Sequence, residues 1–147
     1  RGKKPYAELG PVFSDRSMRR PGEAAANARR QFEAISKVAR HHPLAVLSGT
    51  SGIAQPTREE REFLAGLMDA GEVSTVRATT NMLGTSIDAN FASGIALAAL
   101  ALSRKGFYRP TEDTGFEKPL ATPPESIVVT TWGVWRGEGM GLVESVS

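Results

Sequence analysis

RATTNMLGTSIDANFASGIALAALALSR, residues 77–104, is the stretch that decides the fold. It predicts a short β-branched strand, a turn at Gly84, and one helix from Ile87 to Leu102 that is apolar almost all round. A helix that is apolar on every side is a buried helix, and Gly94 and the alanines allow close packing. The segment is too short and too interrupted to cross a membrane, which requires about 20 apolar residues. We therefore predict the central helix of a globular domain, with chemistry at the Gly84 turn.

The composition excludes several classes of protein. A length of 147 residues corresponds to one domain. Eighteen basic and sixteen acidic side chains give a net charge of only +2, so we expect no nucleic-acid partner. The basic side chains of the first 30 residues lack interleaved aromatic residues. They fit a solvated face, with an acidic partner as the alternative.

Cysteine usage and targeting signals narrow the choice further. The chain has no cysteine, which excludes disulfides, thiolate metal sites and a cysteine nucleophile within it. It shows no signal peptide or membrane-spanning segment, so we expect a cytoplasmic protein without a membrane partner. It begins without methionine, and we expect it to be part of a longer protein.

Strands and helices alternate along the predicted chain. Predicted strands cover 6–13, 44–47, 73–80, 127–135 and 141–146, and predicted helices cover 23–40, a segment capped by Thr57 and closed by Gly71, and 87–102. This alternation predicts an α/β fold with a mixed, mainly parallel five-stranded sheet and helices on both faces. The last two strands are predicted to pair antiparallel.

Three loops follow the predicted strands and are expected to converge. They are residues 48–52, 81–85 and 132–139. In sheets of this kind ligands bind at the carboxyl ends of the strands. These loops are therefore the predicted site.

In this order, the loops resemble the C-terminal half of a β-ketoacyl-acyl-carrier-protein synthase of the thiolase superfamily. The resemblance is carried by RGKKPYAEL at residues 1–9, SGTS at 48–51, the Gly84 turn with its small-residue helix, and WGVWRG at 132–137. It implies a thiolase-like half-fold, with residues 1–147 as the C-terminal ketosynthase domain. The family's nucleophilic cysteine belongs to the first half, which this chain lacks.

The resemblance places hydroxyl residues at three catalytic positions of the family. The family's His-Gly-Thr loop becomes Ser48, Gly49 and Thr50, its second histidine becomes Thr85, and its lysine becomes Thr80. In the family the histidines stabilise the oxyanion that forms as malonyl loses carbon dioxide. A hydroxyl is uncharged, has a shorter reach than imidazole and cannot titrate near neutrality.

Other family positions define the expected substrate site. The gate of the family aligns with Trp132, Gly133 and Val134, and the acidic partner with Glu59. The resemblance also assigns substrate binding to Thr50 and Gly84. Two tryptophans, at 132 and 135, indicate a site that is filled rather than open.

The resemblance therefore implies a ketosynthase-like protein of fatty-acid or polyketide synthesis with impaired catalysis. A non-catalytic chain-length-factor-like partner of an active ketosynthase is one alternative. A remodelled acyltransferase or hydrolase using Ser48 is another, although Ser48 lacks the glycine-flanked elbow of such enzymes. A purely structural interpretation also stays open, in which Ser48, Thr80 and Thr85 satisfy backbone groups in turns.

The expected partners are acyl carrier protein, acyl or malonyl thioesters, and a second ketosynthase subunit in a homodimer or heterodimer. No cofactor or metal is expected, because His41 and His42 are adjacent and lack a suitably spaced carboxylate pair. The glycine-rich segments 48–52 and 137–141 lack the spacing of phosphate-binding loops. Finally, half of such a fold is expected to self-associate or to expose a large apolar face.

Overall fold

Five strands form one mixed sheet in the computed structural model, which describes residues 2–18, 20–86, 88–133 and 137–146. The strands are β1 (Glu8–Asp15), β2 (Leu44–Ser48), β3 (Val73–Ala78), β4 (Ser126–Trp132) and β5 (Glu138–Glu144), in the spatial order β1-β5-β4-β2-β3. The helices are α1 (Glu23–Ser36), α2 (Ala54–Asp69), α3 (Thr79–Leu83) and α4 (Asn90–Ser103).

Parallel pairing is confined to the three strands at one side of the sheet. β2 pairs parallel with both β3 and β4, whereas β5 pairs antiparallel with β4 and β1. Parallel neighbours need a long crossover, which α2 supplies between β2 and β3, while β4 and β5 need only a short connection. The predicted mixed five-stranded sheet is confirmed, with two of its four ladders parallel.

Helices cover both faces of the sheet, as predicted. On one face α1 and α2 contribute Phe32, Ile35 and Leu67 to a core with Val46 and Val128. On the other face α4 packs against the alternate residues of β2 and β4, among them Leu47 and Val129. Every residue of β2 is buried, which confirms the prediction of a strand covered on both sides.

Helix α4 is less buried than its sequence predicts. Only Gly94, Ala98, Ala101 and Leu102 are buried in it, because the described chain covers one face alone. That face packs very closely, since a Cβ on Gly94 would lie 2.6 Å from Val129 Cγ1. The remaining apolar face of α4 is partly open.

Two strand boundaries differ from the prediction for local reasons. β1 runs to Asp15 across Gly10 and Pro11, where the pairing with β5 shifts register. A proline is tolerated there because β1 is an edge strand. β3 ends at Ala78, and Thr80 lies in the short helix α3 instead.

Two helix boundaries also differ. α1 ends at Ser36 and not at Arg40, whose backbone N–H and side chain bind Glu144. α2 begins at Ala54 rather than after Thr57, because the Thr57 N–H already donates to Ile53 O at 3.0 Å. Pro56 is compatible with this earlier start, since N–H groups of the first helical turn have no partner within the helix.

The irregular segment after α4 is fixed by a buried arginine on β3. The Arg77 guanidinium, from a residue 2% exposed, donates to Tyr108 O at 2.7 Å and Lys118 O at 3.0 Å, and lies 5.2 Å from the centre of the Phe107 ring. Farther along, Phe116 O accepts from the Val76 N–H. Residues 111–117, which we call the strap, thereby cover the edge of β3. In the part of the chain that the structure describes, no helix is long and apolar enough to span a membrane.

Candidate functional site

A buried carboxyl joins the end of β2 to α2 and β4. Ser48 Oγ donates to Glu60 Oε1 at 2.8 Å, and Thr130 Oγ1 donates to the same oxygen at 2.6 Å. Ser48 Oγ in turn accepts from the Thr50 N–H at 3.2 Å. We call Ser48, Glu60 and Thr130 the Glu60 cluster.

Glu60 is 1% exposed, and its second oxygen, Oε2, has no hydrogen-bond partner among the described residues. Burial raises the pKa of Glu60 above its ordinary value of 4.5, because a carboxylate is poorly solvated in the protein interior. The hydroxyls of Thr130 and Ser48 oppose that rise, since they stabilise the charged form. The cluster therefore holds a carboxyl whose proton is retained to a higher pH than usual.

A cavity of about 230 Å³ lies beside this cluster, at the carboxyl ends of β2 and β3 and beneath the strap. Three of the predicted site residues line it, namely Ser48, Thr50 and Thr80. Glu60 lines it from α2 and Phe116 from the strap. The convergence predicted for the first two loops therefore occurs here.

Gly84 and Thr85 do not line this cavity. Gly84 ends α3 with a φ of +75°, a conformation that favours glycine. Both residues are exposed. Their predicted part in substrate binding and catalysis stays a prediction.

Gly49 is required by the close approach of β2 to β4. Its N–H donates to Thr130 O at 3.1 Å, and a Cβ would lie 2.5 Å from that oxygen. Close packing against β4 therefore explains why this chain has glycine at position 49, where the family's His-Gly-Thr loop also has glycine.

Of the predicted gate residues, Trp132 packs against α2, and neither Trp132 nor Gly133 lines the cavity. Trp132 is 2% exposed, and its ring centre is 5.8 Å from that of Phe63. Its Nε1–H donates to Glu59 Oε2 at 3.3 Å. The Gly133 N–H donates to Gly137 O at 2.8 Å, and Val134 lies outside the described residues.

Glu60, and not Glu59, is the acidic residue beside Ser48. The sequence predicts Glu60 only as the end of a capping box with Thr57 and not as a site residue, although Phe63, Leu64 and Leu67 follow it at the spacing of one helix face. A carboxyl within the apolar stripe of a helix is the sequence signal that could have indicated a buried, functional Glu60. Thr130 was also missed.

The two histidines lie away from the cavity, as predicted. Both are exposed in the segment before β2, and His41 Nε2 lies 3.5 Å from Glu125 Oε2. Among the described residues, no group of three or more histidine, cysteine or acidic side chains has the arrangement of a metal site.

Comparison with solved structures shows which type of fold this chain has. The oxazolomycin ketosynthase domain of Streptomyces albus matches 96% of this chain with a TM-score of 0.70 and 14% identity. The ishigamide ketosynthase/chain length factor matches 99% with a TM-score of 0.72 and 13% identity. A ketosynthase in complex with its type II polyketide-synthase acyl-carrier protein matches 97% with a TM-score of 0.73 and 15% identity. The chain has a ketosynthase-type fold.

This ketosynthase-type chain spans 45%, 40% and 39% of those three structures, respectively. No family model matches its sequence, and no curated protein does. The expected thiolase-like α/β fold is therefore confirmed at a level of similarity that shows the fold alone.

The chemistry available around Ser48 is limited. The Ser48 hydroxyl donates to Glu60, and Ser48 is 3% exposed. Among the described residues, no histidine lines the cavity. A serine nucleophile normally needs an adjacent general base, usually imidazole. The arrangement suits hydrogen bonding and proton retention better than nucleophilic attack.

Proposed function

We propose that residues 1–147 form the C-terminal domain of a ketosynthase-like protein of polyketide or fatty-acid synthesis, and that this site does not catalyse condensation. The observation that carries the proposal is the Ser48–Glu60 hydrogen bond of 2.8 Å, within a ketosynthase-type fold. Ser48 stands where the family resemblance expects an imidazole. Its only hydroxyl proton is already directed to a carboxyl.

An oxyanion needs donors aimed at the position where its charge develops, and the loss of one such donor costs about 10²–10³ in rate. Ser48 has no second proton to donate. Thr85 is exposed two residues after the end of α3 and does not line the cavity that Ser48 lines. The three hydroxyl positions therefore provide no paired donors comparable to two imidazoles.

The partly open face of α4 supports the domain assignment. Its uncovered residues include Ala96, which is exposed, and Leu100, which is only partly buried. We propose that a first ketosynthase half, the one that carries the family's nucleophilic cysteine, packs against this face. By the same resemblance the protein is cytoplasmic and meets acyl carrier protein and acyl or malonyl thioesters.

A role as a chain-length-shaping partner is the finer form of the proposal. One structure of the same fold is a ketosynthase/chain length factor, and the buried Trp132 fills the interior where the resemblance expects a gate. A subunit with a filled, silent site suits pairing with an active ketosynthase. A remodelled acyltransferase that uses Ser48 is the weaker alternative, because Ser48 lacks an imidazole partner and is almost fully buried.

The direct test is a condensation assay on the protein that carries this chain, with malonyl- and acyl-carrier protein as substrates. An active ketosynthase from the same cell is the positive control, and malonyl decarboxylation is measured in parallel. We expect neither condensation nor decarboxylation above the protein-free background. Turnover that disappears in Ser48→Ala would show that the hydroxyl site is catalytic and would contradict the proposal.

A further inference from the structure

The strap that covers the edge of β3 is firmly fixed to the sheet at its C-terminal end. The Phe116 carbonyl accepts from the Val76 N–H at 3.0 Å. The next carbonyl but one, that of Lys118, accepts from Thr75 Oγ1 at 2.7 Å and from the Arg77 guanidinium at 3.0 Å. All three donors belong to β3, so this end of the strap is held as part of the sheet.

The rest of the strap, residues 111–115, is held in a different way. Each of these residues is exposed, and we call them the strap tip. In the part of the chain that the structure describes, the tip forms one hydrogen bond outside the strap, from Asn81 Nδ2 to Thr111 Oγ1 at 3.4 Å. That distance exceeds the roughly 2.7–3.2 Å of an ordinary N–H···O hydrogen bond, and Asn81 is itself exposed. The contact with α3 therefore holds the tip only weakly.

One carboxylate ties the tip to the fixed end of the strap. Glu117 is 6% exposed and accepts hydrogen bonds from the Thr111 N–H, from the Thr111 hydroxyl at 3.1 Å and from the Glu112 N–H at 3.2 Å. Hydrogen bonds to an ionised group are stronger than those between neutral groups. Gly115 lies between the tip and the fixed end with a φ of +81°, a conformation that glycine adopts at little cost. The position of the tip therefore depends mainly on the Glu117 carboxylate.

The tip forms one wall of the cavity. Glu112 and Thr114 line the cavity from the tip, and Ser48 lines it from the end of β2. With the tip in this position, Ser48 is only 3% exposed. Movement of the tip would widen the cavity toward solvent and leave the hydrogen bonds between Phe116 and β3 in place.

We propose that the strap tip is a lid, that Glu117 is its latch, and that release of this latch opens the cavity to small molecules. Lids are formed by segments with few buried contacts, which can open while the rest of the fold stays intact. The inference is independent of the proposed function, because it concerns access to the cavity and not a reaction within it.

The absence of cysteine from this chain allows a direct test. Ser48→Cys places a single thiol in the cavity, and mass spectrometry follows its rate of alkylation by iodoacetamide. Adding Glu117→Gln, which removes the charge of the latch, should raise this rate at least fivefold, and adding Thr111→Val should raise it at least twofold. Asp113→Asn, which changes an exposed carboxylate of the tip, should leave the rate unchanged. Thr50→Cys, also in the cavity lining, is the reporter if Ser48→Cys does not fold.

A second reporter separates opening of the lid from loss of the fold. Val128→Cys places a thiol within β4, at a residue that is 0% exposed. Its alkylation rate should stay within twofold when Glu117→Gln is added. Equal acceleration in the cavity and at position 128 would show that Glu117→Gln only destabilises the domain. An unchanged rate in the cavity with Glu117→Gln would show that the tip is not a lid, and either result would overturn the proposal.

Discussion

At the scale of single residues, Glu60 makes the free energy of unfolding depend on pH in an unusual way. The pKa of Glu60 is raised by burial, so the folded state holds its proton where the unfolded chain releases it. The contribution of Glu60 to the free energy of unfolding is therefore fully present below the ordinary pKa of 4.5. It is lost as the pH rises through the higher folded value.

Glu60→Gln should remove this dependence. Glutamine keeps an oxygen acceptor for Ser48 and Thr130 and carries no charge. We expect the melting temperature of Glu60→Gln relative to wild type to increase steadily as the pH rises above 4.5. Thermal unfolding followed by circular dichroism between pH 4 and 8 measures it, with Glu62→Gln as the surface control. A wild-type advantage that grows with pH would contradict the assignment.

The pKa of Glu144 is shifted in the opposite direction to that of Glu60. Burial alone would raise its pKa, but hydrogen bonds from Arg40 and Ser126 together with the charge of Arg40 lower it overall. Its contribution to stability is therefore present above the unfolded pKa and is lost as the pH falls through the lowered folded value.

Glu144→Gln should lower the free energy of unfolding by about 1–3 kcal/mol near neutral pH, because the Arg40 donors lose their charged acceptor. Glu8→Gln is the matched control, since the Glu8 side chain contacts the same arginine at 3.1 Å but is 62% exposed. Its cost should stay within about 1 kcal/mol. Urea unfolding at pH 7 measures both. Equal costs for Glu144→Gln and Glu8→Gln would contradict this account.

At the scale of elements, the approach of the β2 end to β4 depends on Gly49. A Cβ at this position would overlap Thr130 O, so Gly49→Ala should lower the free energy of unfolding by about 1–3 kcal/mol. Gly66→Ala is the control, because Gly66 is exposed within α2 with no atom near its would-be Cβ. That change should stabilise the helix by about 0.5–1 kcal/mol. Equal destabilisation of both variants would show that close packing at Gly49 is not the cause.

The elements of this fold were largely predictable because their signals are local. The apolar run at Leu44–Leu47, the helical spacing of Phe32 and Ile35, and the β-branched run from Ile127 specify elements by period alone. The start of α2 was not predictable in this way. Thr57 and Glu60 match a capping box, but the buried carboxyl is used by Ser48 and Thr130, which are distant in sequence.

The site was predictable in part for the same reason. Ser48 and Thr50 follow the predicted strand 44–47, and Thr80 ends the predicted strand 73–80. The carboxyl ends of neighbouring parallel strands lie at the same edge of a sheet. Thr85 was assigned by resemblance, and the helix α3 between it and β3 places it outside the cavity. The raised pKa of Glu60 could not be predicted, because it arises from burial by three separate elements.

At the scale of the whole molecule, the partly open face of α4 predicts association. Exposed Ala96 and half-buried Leu100 lie along a helix with only four buried positions. We expect the isolated 147-residue chain to self-associate, and Ala96→Glu with Leu100→Glu to reduce that association. Sedimentation velocity at several concentrations measures it. A strictly monomeric wild-type chain that binds no hydrophobic dye would contradict the prediction.

We propose that this ketosynthase-type chain belongs to a partner without condensing activity that shapes the product of an active ketosynthase. The most direct measurement is the product chain length made by an active ketosynthase from the same cell, by mass spectrometry, with and without the protein that carries this chain. We expect no product from that protein alone and a changed length distribution in the mixture. An unchanged distribution in the mixture, or product formed by the protein alone, would contradict it.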